Sequence, residues 1–104
     1  MTTPGPTSNI PPASVLLRAA QISVDEDRPI LLDYWVDSRD KKCCIGVSNK
    51  DGSKYLVKDE SEYTSTIQNI FRLDACFIVL TENSLYIVSQ DIPVRKIVSE
   101  LKDE

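Results

Sequence analysis

Residues 76–89 read Cys-Phe-Ile-Val-Leu-Thr-Glu-Asn-Ser-Leu-Tyr-Ile-Val-Ser, and this stretch decides the fold. Cys76–Thr81 is apolar at almost every position, which is typical of a strand that is buried on both faces. Residues 82–84 favour a turn, and Leu85–Ser89 then returns to β-branched and aromatic side chains. The sequence therefore predicts a hairpin whose first strand lies at the centre of a sheet.

Further strands are predicted on the amino-terminal side of this hairpin. Cys43–Ser48 and Lys54–Lys58 flank an Asp-Gly pair at positions 51–52, which favours a tight turn because glycine accepts a positive φ. Ile67–Leu73 is another candidate strand. Ile30–Asp37 alternates imperfectly between apolar and polar residues, which indicates a half-buried strand with a polar outer face.

The two ends of the chain differ from this β-rich middle. Residues 1–12 contain four prolines and predict a flexible tail. A short helix is expected after the tail, and an amphipathic helix is expected over about 92–102, where Asp91 can cap it. The apolar positions at helical spacing are Val15, Leu16, Ala19 and Ile22 in the first helix, and Val94, Ile97, Val98 and Leu101 in the second.

Short strands joined by tight connections predict a mainly β fold in a single domain over residues 13–104. At this size an antiparallel meander curls into a small barrel or a bent sheet, here with a short helix before it and an amphipathic helix after it. The architecture resembles the SH3-like and Sm-like small barrels, although no stretch of the chain matches a signature motif of either family.

Composition favours a reducing compartment. No apolar run is long enough for a membrane span, so we expect no membrane contact. The three cysteines are an odd number and two of them are adjacent, which argues against a disulfide framework. We therefore expect buried free thiols in a cytoplasmic protein that could enter the nucleus by diffusion.

The sequence lacks the residues on which most enzymes depend. It contains no histidine, which excludes histidine-based acid–base and nucleophilic catalysis. Three cysteines without histidine do not complete the usual zinc ligand set, and three scattered glycines do not build a phosphate-binding loop. We therefore predict no enzymatic activity, no metal and no cofactor.

Two features could carry recognition. One is a basic segment over residues 39–58 that contains a tyrosine, which suits nucleic acid, although lysines that protect an exposed strand explain the same pattern. The other is Trp35, flanked by Asp33 and Asp37, which could lie in the core, anchor a protein interface, or form a cage for a methylated cation with nearby tyrosines. The candidate surface residues are Trp35, Arg39, Lys41, Lys42, Lys50, Lys54, Tyr55 and Lys58.

These observations predict a non-enzymatic protein-interaction or assembly module that could associate with itself. The alternative is a nucleic-acid-binding small barrel that uses the basic hairpin over residues 39–58. The overall net charge of −4 disfavours nucleic acid, but the basic segment concentrates positive charge locally, so both hypotheses stay open.

Overall fold

The computed structural model describes residues 10–59 and 61–97. In this part of the chain the fold is mainly β, as predicted, with few helices. The elements in chain order are α1 (Ala13–Glu26), β1 (Ile30–Leu31), α2 (Trp35–Arg39), β2 (Cys44–Ser48), β3 (Lys54–Asp59), β4 (Glu62–Tyr63), β5 (Ile67–Leu73), β6 (Cys76–Thr81), β7 (Leu85–Ser89) and β8 (Val94–Ile97).

The strands form two mixed sheets. The first sheet has the order β1-β7-β6-β5, with β1 parallel to β7 and the other neighbours antiparallel. The second sheet has the order β4-β3-β2-β8, with β8 parallel to β2. The predicted hairpin of residues 76–89 is thus confirmed, and its strands β6 and β7 occupy the two central positions of the first sheet.

The hairpin is apolar on both faces because it is covered on both sides. One face packs against α1, whose residues Val15 and Ala19 lie in a buried cluster with Ile78 and Ile87. The opposite face carries Val79, which packs with residues of the second sheet in another buried cluster. The molecule therefore has three layers: a helix, the first sheet and the second sheet.

Two expectations about architecture need correction. The strands do not close into a barrel, because they divide between two sheets that pack face to face. The strand predicted over Ile30–Asp37 stops at Leu31, and the short helix α2 replaces its second half. The reason is that Ile30 and Leu31 pair in parallel with β7, and the chain then turns so that Tyr34 and Trp35 enter the two different cores.

The carboxyl-terminal helix predicted over about 92–102 is wrong at its start. Val94–Ile97 is strand β8, which pairs in parallel with β2. Its apolar residues fit helical spacing, but β-branched residues at the edge of a sheet gain backbone hydrogen bonds that a short isolated helix does not offset. The rest of that predicted helix, from position 98, lies outside the described residues, as does the predicted tail up to position 9.

Candidate interaction surfaces

Trp35 lies in α2, and its side chain is only 5% exposed. It packs with Ala19 and Ile87 in the cluster between α1 and the first sheet. The guanidinium carbon of Arg39 lies 5.6 Å from the centroid of the Trp35 ring, within the range of a cation–π contact. Of the three roles proposed for Trp35, the structure supports packing in the core.

Acidic and aromatic groups do come together, but around Tyr34. A carboxylate oxygen of Asp37 lies 3.2 Å from the ammonium nitrogen of Lys58, and the same nitrogen lies 4.7 Å from the centroid of the Tyr34 ring. Partial burial of the ammonium lowers the pKa of Lys58, but the hydrogen bond and charge of Asp37 outweigh it and hold that pKa above its usual value. The acidic and basic groups thus meet at the Tyr34 ring, whereas the cation over the Trp35 ring is the chain's own Arg39.

Lys54 belongs to a basic pair that crosses the second sheet. Val47 on β2 pairs with Lys54 on one side and with Lys96 of β8 on the other. Side chains alternate along a strand, so these residues share the sheet face that carries Ile45. Both lysines are exposed. Because each pairs with Val47, one positive charge lies on each side of that residue.

Tyr55 faces the other way. Gly46 on β2 pairs with Tyr55 and with Arg95 of β8, which places these two side chains on the sheet face opposite to Lys54. The Tyr55 ring meets the Tyr63 ring edge to face, with 6.3 Å between centroids. The predicted basic and aromatic residues thus do not form one continuous face.

The remaining candidates are spread around the molecule. Lys41 and Lys42 are exposed before β2, and Lys50 is exposed in the turn after it. Arg39 lies over Trp35, and Lys58 is paired with Asp37. The predicted surface residues are therefore spread over separate parts of the molecule. Strand β8 adds Arg95 and Lys96, which were not predicted because a helix was expected at these positions.

Helix α1 carries an apolar stripe that sequence reasoning missed. Ala13, Leu17, Ala20 and Val24 are spaced by four, three and four residues, so they lie on one side of the helix, away from its buried stripe. All four are exposed; Leu17 is 64% and Val24 80% exposed. The same periodicity that revealed the buried stripe could have revealed this one, which we call the outer stripe of α1.

A cleft of about 470 Å³ lies where the turn between β5 and β6 meets α2 and the segment before α1. Its lining includes Pro11, Pro12, Trp35, Arg39, Asp74, Ala75, Ser89 and Asp91. Within the described part of the chain, the buried indole N–H of Trp35 has no hydrogen-bond partner. We call this feature the Trp35 cleft.

The three cysteines are free thiols; Cys43 and Cys76 are buried and Cys44 is half-buried, and loss of solvent makes a thiol a poor nucleophile. Burial, helped by the charge of Asp37, raises the pKa of the Cys43 thiol to about 12. Burial likewise raises the pKa of Cys44 and of Cys76. Across residues 10–59 and 61–97, no group of three or more potential metal ligands is close enough to hold an ion.

No helix in the described ranges is both long and apolar enough to cross a membrane. Comparison with known proteins adds no relative: no family, no curated protein and no solved structure matches the chain. Any statement on function therefore rests on the surfaces described above.

Proposed function

We propose that the protein is a non-enzymatic interaction module and that it docks through the outer stripe of α1. The observation that carries this proposal is the exposure of Leu17 and Val24 on a helix whose opposite side already packs on the first sheet. A helix that is apolar on two opposite sides has one more apolar face than the fold uses.

The energetic gain from docking is large enough to matter. Fully burying a leucine or valine side chain contributes about 1.5–3 kcal/mol, so Leu17 and Val24 together offer roughly 3 kcal/mol from their exposed parts. Between them, Ala20 has a small side chain. A partner helix or loop can therefore approach the backbone of α1 closely at the centre of the stripe. The partner is a protein with an apolar surface, or a second copy of the chain.

The experiment compares the full chain with its Leu17→Gln/Val24→Gln variant, since glutamine keeps a good helix propensity. Light scattering over a range of concentrations tests self-association. A photo-crosslinking residue at position 24 tests capture of partners from lysate, and the matched control carries it at Gln68, which is exposed on β5. We expect association or capture that depends on position 24 and is lost in the variant.

A strictly monomeric chain, with no more capture from position 24 than from position 68, contradicts the proposal. A folded variant that associates as the parent chain does contradicts it as well.

A second candidate function is nucleic-acid binding through the second sheet. The observation in its favour is that β8 brings Arg95 and Lys96 into the sheet that carries Lys54 and Tyr55 on β3, with β2 between the two strands. Positive side chains with an aromatic residue suit a phosphate backbone and base stacking. Against it stands the division of these residues between two sheet faces.

Oligonucleotide affinity at two salt concentrations tests this candidate. Binding through phosphate contacts weakens as salt rises, and removing two contacts reduces the slope of log affinity against log salt by about two. We expect that reduction in Lys54→Glu/Lys96→Glu and a smaller one in the control Lys41→Glu/Lys42→Glu. If the affinity does not change with salt, or if both variants reduce the slope equally, the second sheet is excluded as the interface.

A further inference from the structure

The outer stripe of α1 has the spacing of a coiled-coil seam. Ala13 and Ala20 are seven residues apart, and so are Leu17 and Val24, which alternate with them. On a helix of 14 residues, about 21 Å long, this heptad spacing places one apolar side chain at each turn. The stripe points away from the first sheet, because the opposite side of α1 is buried against that sheet. A second helix laid along the stripe therefore contacts exposed side chains.

Large and small side chains alternate along the stripe, and this alternation distinguishes the two ways in which two copies of α1 can pair. In an antiparallel pair centred on the stripe, Leu17 of each copy lies level with Ala20 of the other. Val24 of each copy lies level with Ala13 of the other. Each layer then combines one large side chain with one small side chain, which fills the space between the helices evenly.

A parallel pair does not use the alternation. Each residue then lies level with the same residue of the other copy, so Leu17 meets Leu17 and Ala20 meets Ala20. The leucines hold the helices apart, and the gap between the alanines loses dispersion contacts. The sizes of the side chains therefore favour an antiparallel pair about a two-fold axis, in which one surface is used twice and the assembly closes as a dimer.

The acidic end of α1 favours the same arrangement. The exposed carboxylates of Asp25, Glu26 and Asp27 lie at the carboxyl-terminal end, next to one cation, Arg28. At the amino-terminal end no side chain caps the helix, and no acidic residue lies in its first turn. The first N–H groups of a helix carry the positive end of its dipole, which attracts negative charge.

One further carboxylate lies near the amino-terminal end. Asp74 accepts a hydrogen bond from the hydroxyl of Ser14, and the positive charge of Arg18 in the next turn balances it. An antiparallel pair therefore places each acidic end beside an end that has no excess of negative charge. A parallel pair brings the two acidic ends together, and such a contact between like charges is unfavourable.

We propose that the outer stripe of α1 docks on the same stripe of a second copy of the chain, with the two helices antiparallel. This inference rests on the proposed function, and it names the partner that the outer stripe takes. Two helices of four turns bury less than the roughly 1,200 Å² at the lower end of standard interfaces. The dimer is therefore weak and forms at high protein concentration.

Disulfide exchange between two cysteine variants of the full chain tests the orientation. One variant carries Ala13→Cys and the other Val24→Cys, and both carry Cys44→Ser, because Cys44 is half-buried while the other native thiols are buried. In the antiparallel pair the two new thiols lie side by side. In a parallel pair each new thiol lies beside its own kind, and the thiols at positions 13 and 24 are about 16 Å apart, beyond the reach of a disulfide.

A mixture of reduced and oxidised glutathione lets the disulfides exchange. Mass spectrometry with one chain labelled with ¹⁵N then separates the mixed disulfide from the two homodisulfides. We expect about tenfold more mixed disulfide than either homodisulfide, because thiols held side by side have a high effective concentration.

Two controls define the proportions that random collision gives. Gln68→Cys replaces Ala13→Cys in the first, since Gln68 is exposed on β5, outside the outer stripe. Leu17→Gln is added to both chains in the second, and it should remove the excess of mixed disulfide.

An excess of homodisulfides, or the same proportions as in the Gln68 control, overturns the antiparallel dimer. A parent chain that stays monomeric in light scattering up to about 1 mM overturns it as well. In that case, capture from position 24 decides the proposed function separately. If the photo-crosslinking residue there still captures a partner, the outer stripe docks on another protein; if it captures nothing, the proposed function fails too.

Discussion

The backbone N–H of Ser89 donates to the hydroxyl oxygen of Ser38 at 2.8 Å, although the two residues are 51 positions apart. The same hydroxyl donates to the carbonyl oxygen of Trp35 at 2.7 Å. Ser38 is fully buried, so its two hydrogen bonds fasten α2 to β7. A helix of five residues is not stable alone, and this contact explains how it holds its place.

Ser38→Ala should therefore destabilise the fold by about 1–3 kcal/mol, because it leaves the partly buried N–H of Ser89 unpaired. Urea denaturation measures the change. Ser65→Ala is the matched control, since the hydroxyl of Ser65 is buried without a partner in the described structure, and its loss should cost less than about 0.5 kcal/mol. Similar losses in the two variants would show that the Ser38 bridge contributes little.

The pairing of Asp37 with Lys58 should appear as a coupling energy. In a double-mutant cycle of Asp37→Asn and Lys58→Met, we expect a coupling of about 1 kcal/mol, the upper end for partly exposed pairs, because the Tyr34 ring holds the ammonium of Lys58 in place beside Asp37. Salt at about 1 M should reduce this coupling. A coupling near zero at low salt would mean that the two side chains act independently.

Stability should fall in alkaline solution because of Cys43. Its thiol ionises near 9 in an unfolded chain, whereas burial raises its pKa in the fold to about 12. The folded state therefore keeps a proton that the unfolded state releases. The contribution of Cys43 to the free energy of unfolding is fully present below about pH 9 and is lost as pH rises towards 12. Burial also raises the pKa of Tyr34, which acts in the same direction.

Urea denaturation between pH 8 and pH 11 measures this slope, and Cys43→Ala should make it shallower. A variant whose stability falls with the parent slope would assign the effect to other groups.

The local pattern of residues was enough to predict the centre of the fold. β5, β6 and β7 begin and end at the predicted residues, and α1 buries Val15, Ala19 and Ile22 as predicted. These elements are joined by short turns or carry a clear period, so the sequence holds their signal locally. α2 and β8 depend on distant partners, namely Ser89 and the strand β2. The spacing of apolar residues along the chain does not reveal either contact.

The candidate sites divide in the same way. The outer stripe of α1 follows from helical spacing, and its signal was present in the sequence. The unpaired indole N–H of Trp35 and the strain at Ala75 could not be predicted, because they arise from the packing of α2 and the geometry of one turn. The predicted basic surface divided because its residues alternate across the second sheet, and β8 supplied Arg95 and Lys96 instead.

Two turns should respond in opposite directions to exchange of glycine and alanine. Gly52 has a φ of 80° and open space where a Cβ would lie, so Gly52→Ala should destabilise by about 1 kcal/mol through the backbone alone. Ala75 has a φ of 64°, so Ala75→Gly should stabilise by roughly 0.5 kcal/mol, since the relief of strain exceeds the extra entropy of the unfolded chain. Thermal unfolding measures both.

Asp74→Gly is the control within the same turn. Aspartate tolerates the left-handed region better than alanine, and its carboxylate holds Ser14, so this change should stabilise less than Ala75→Gly or destabilise. Because the two turns lie in different sheets, the effects of Gly52→Ala and Ala75→Gly should add in the double variant. Changes of the same sign at positions 52 and 75 would show that φ does not control the stability of these turns.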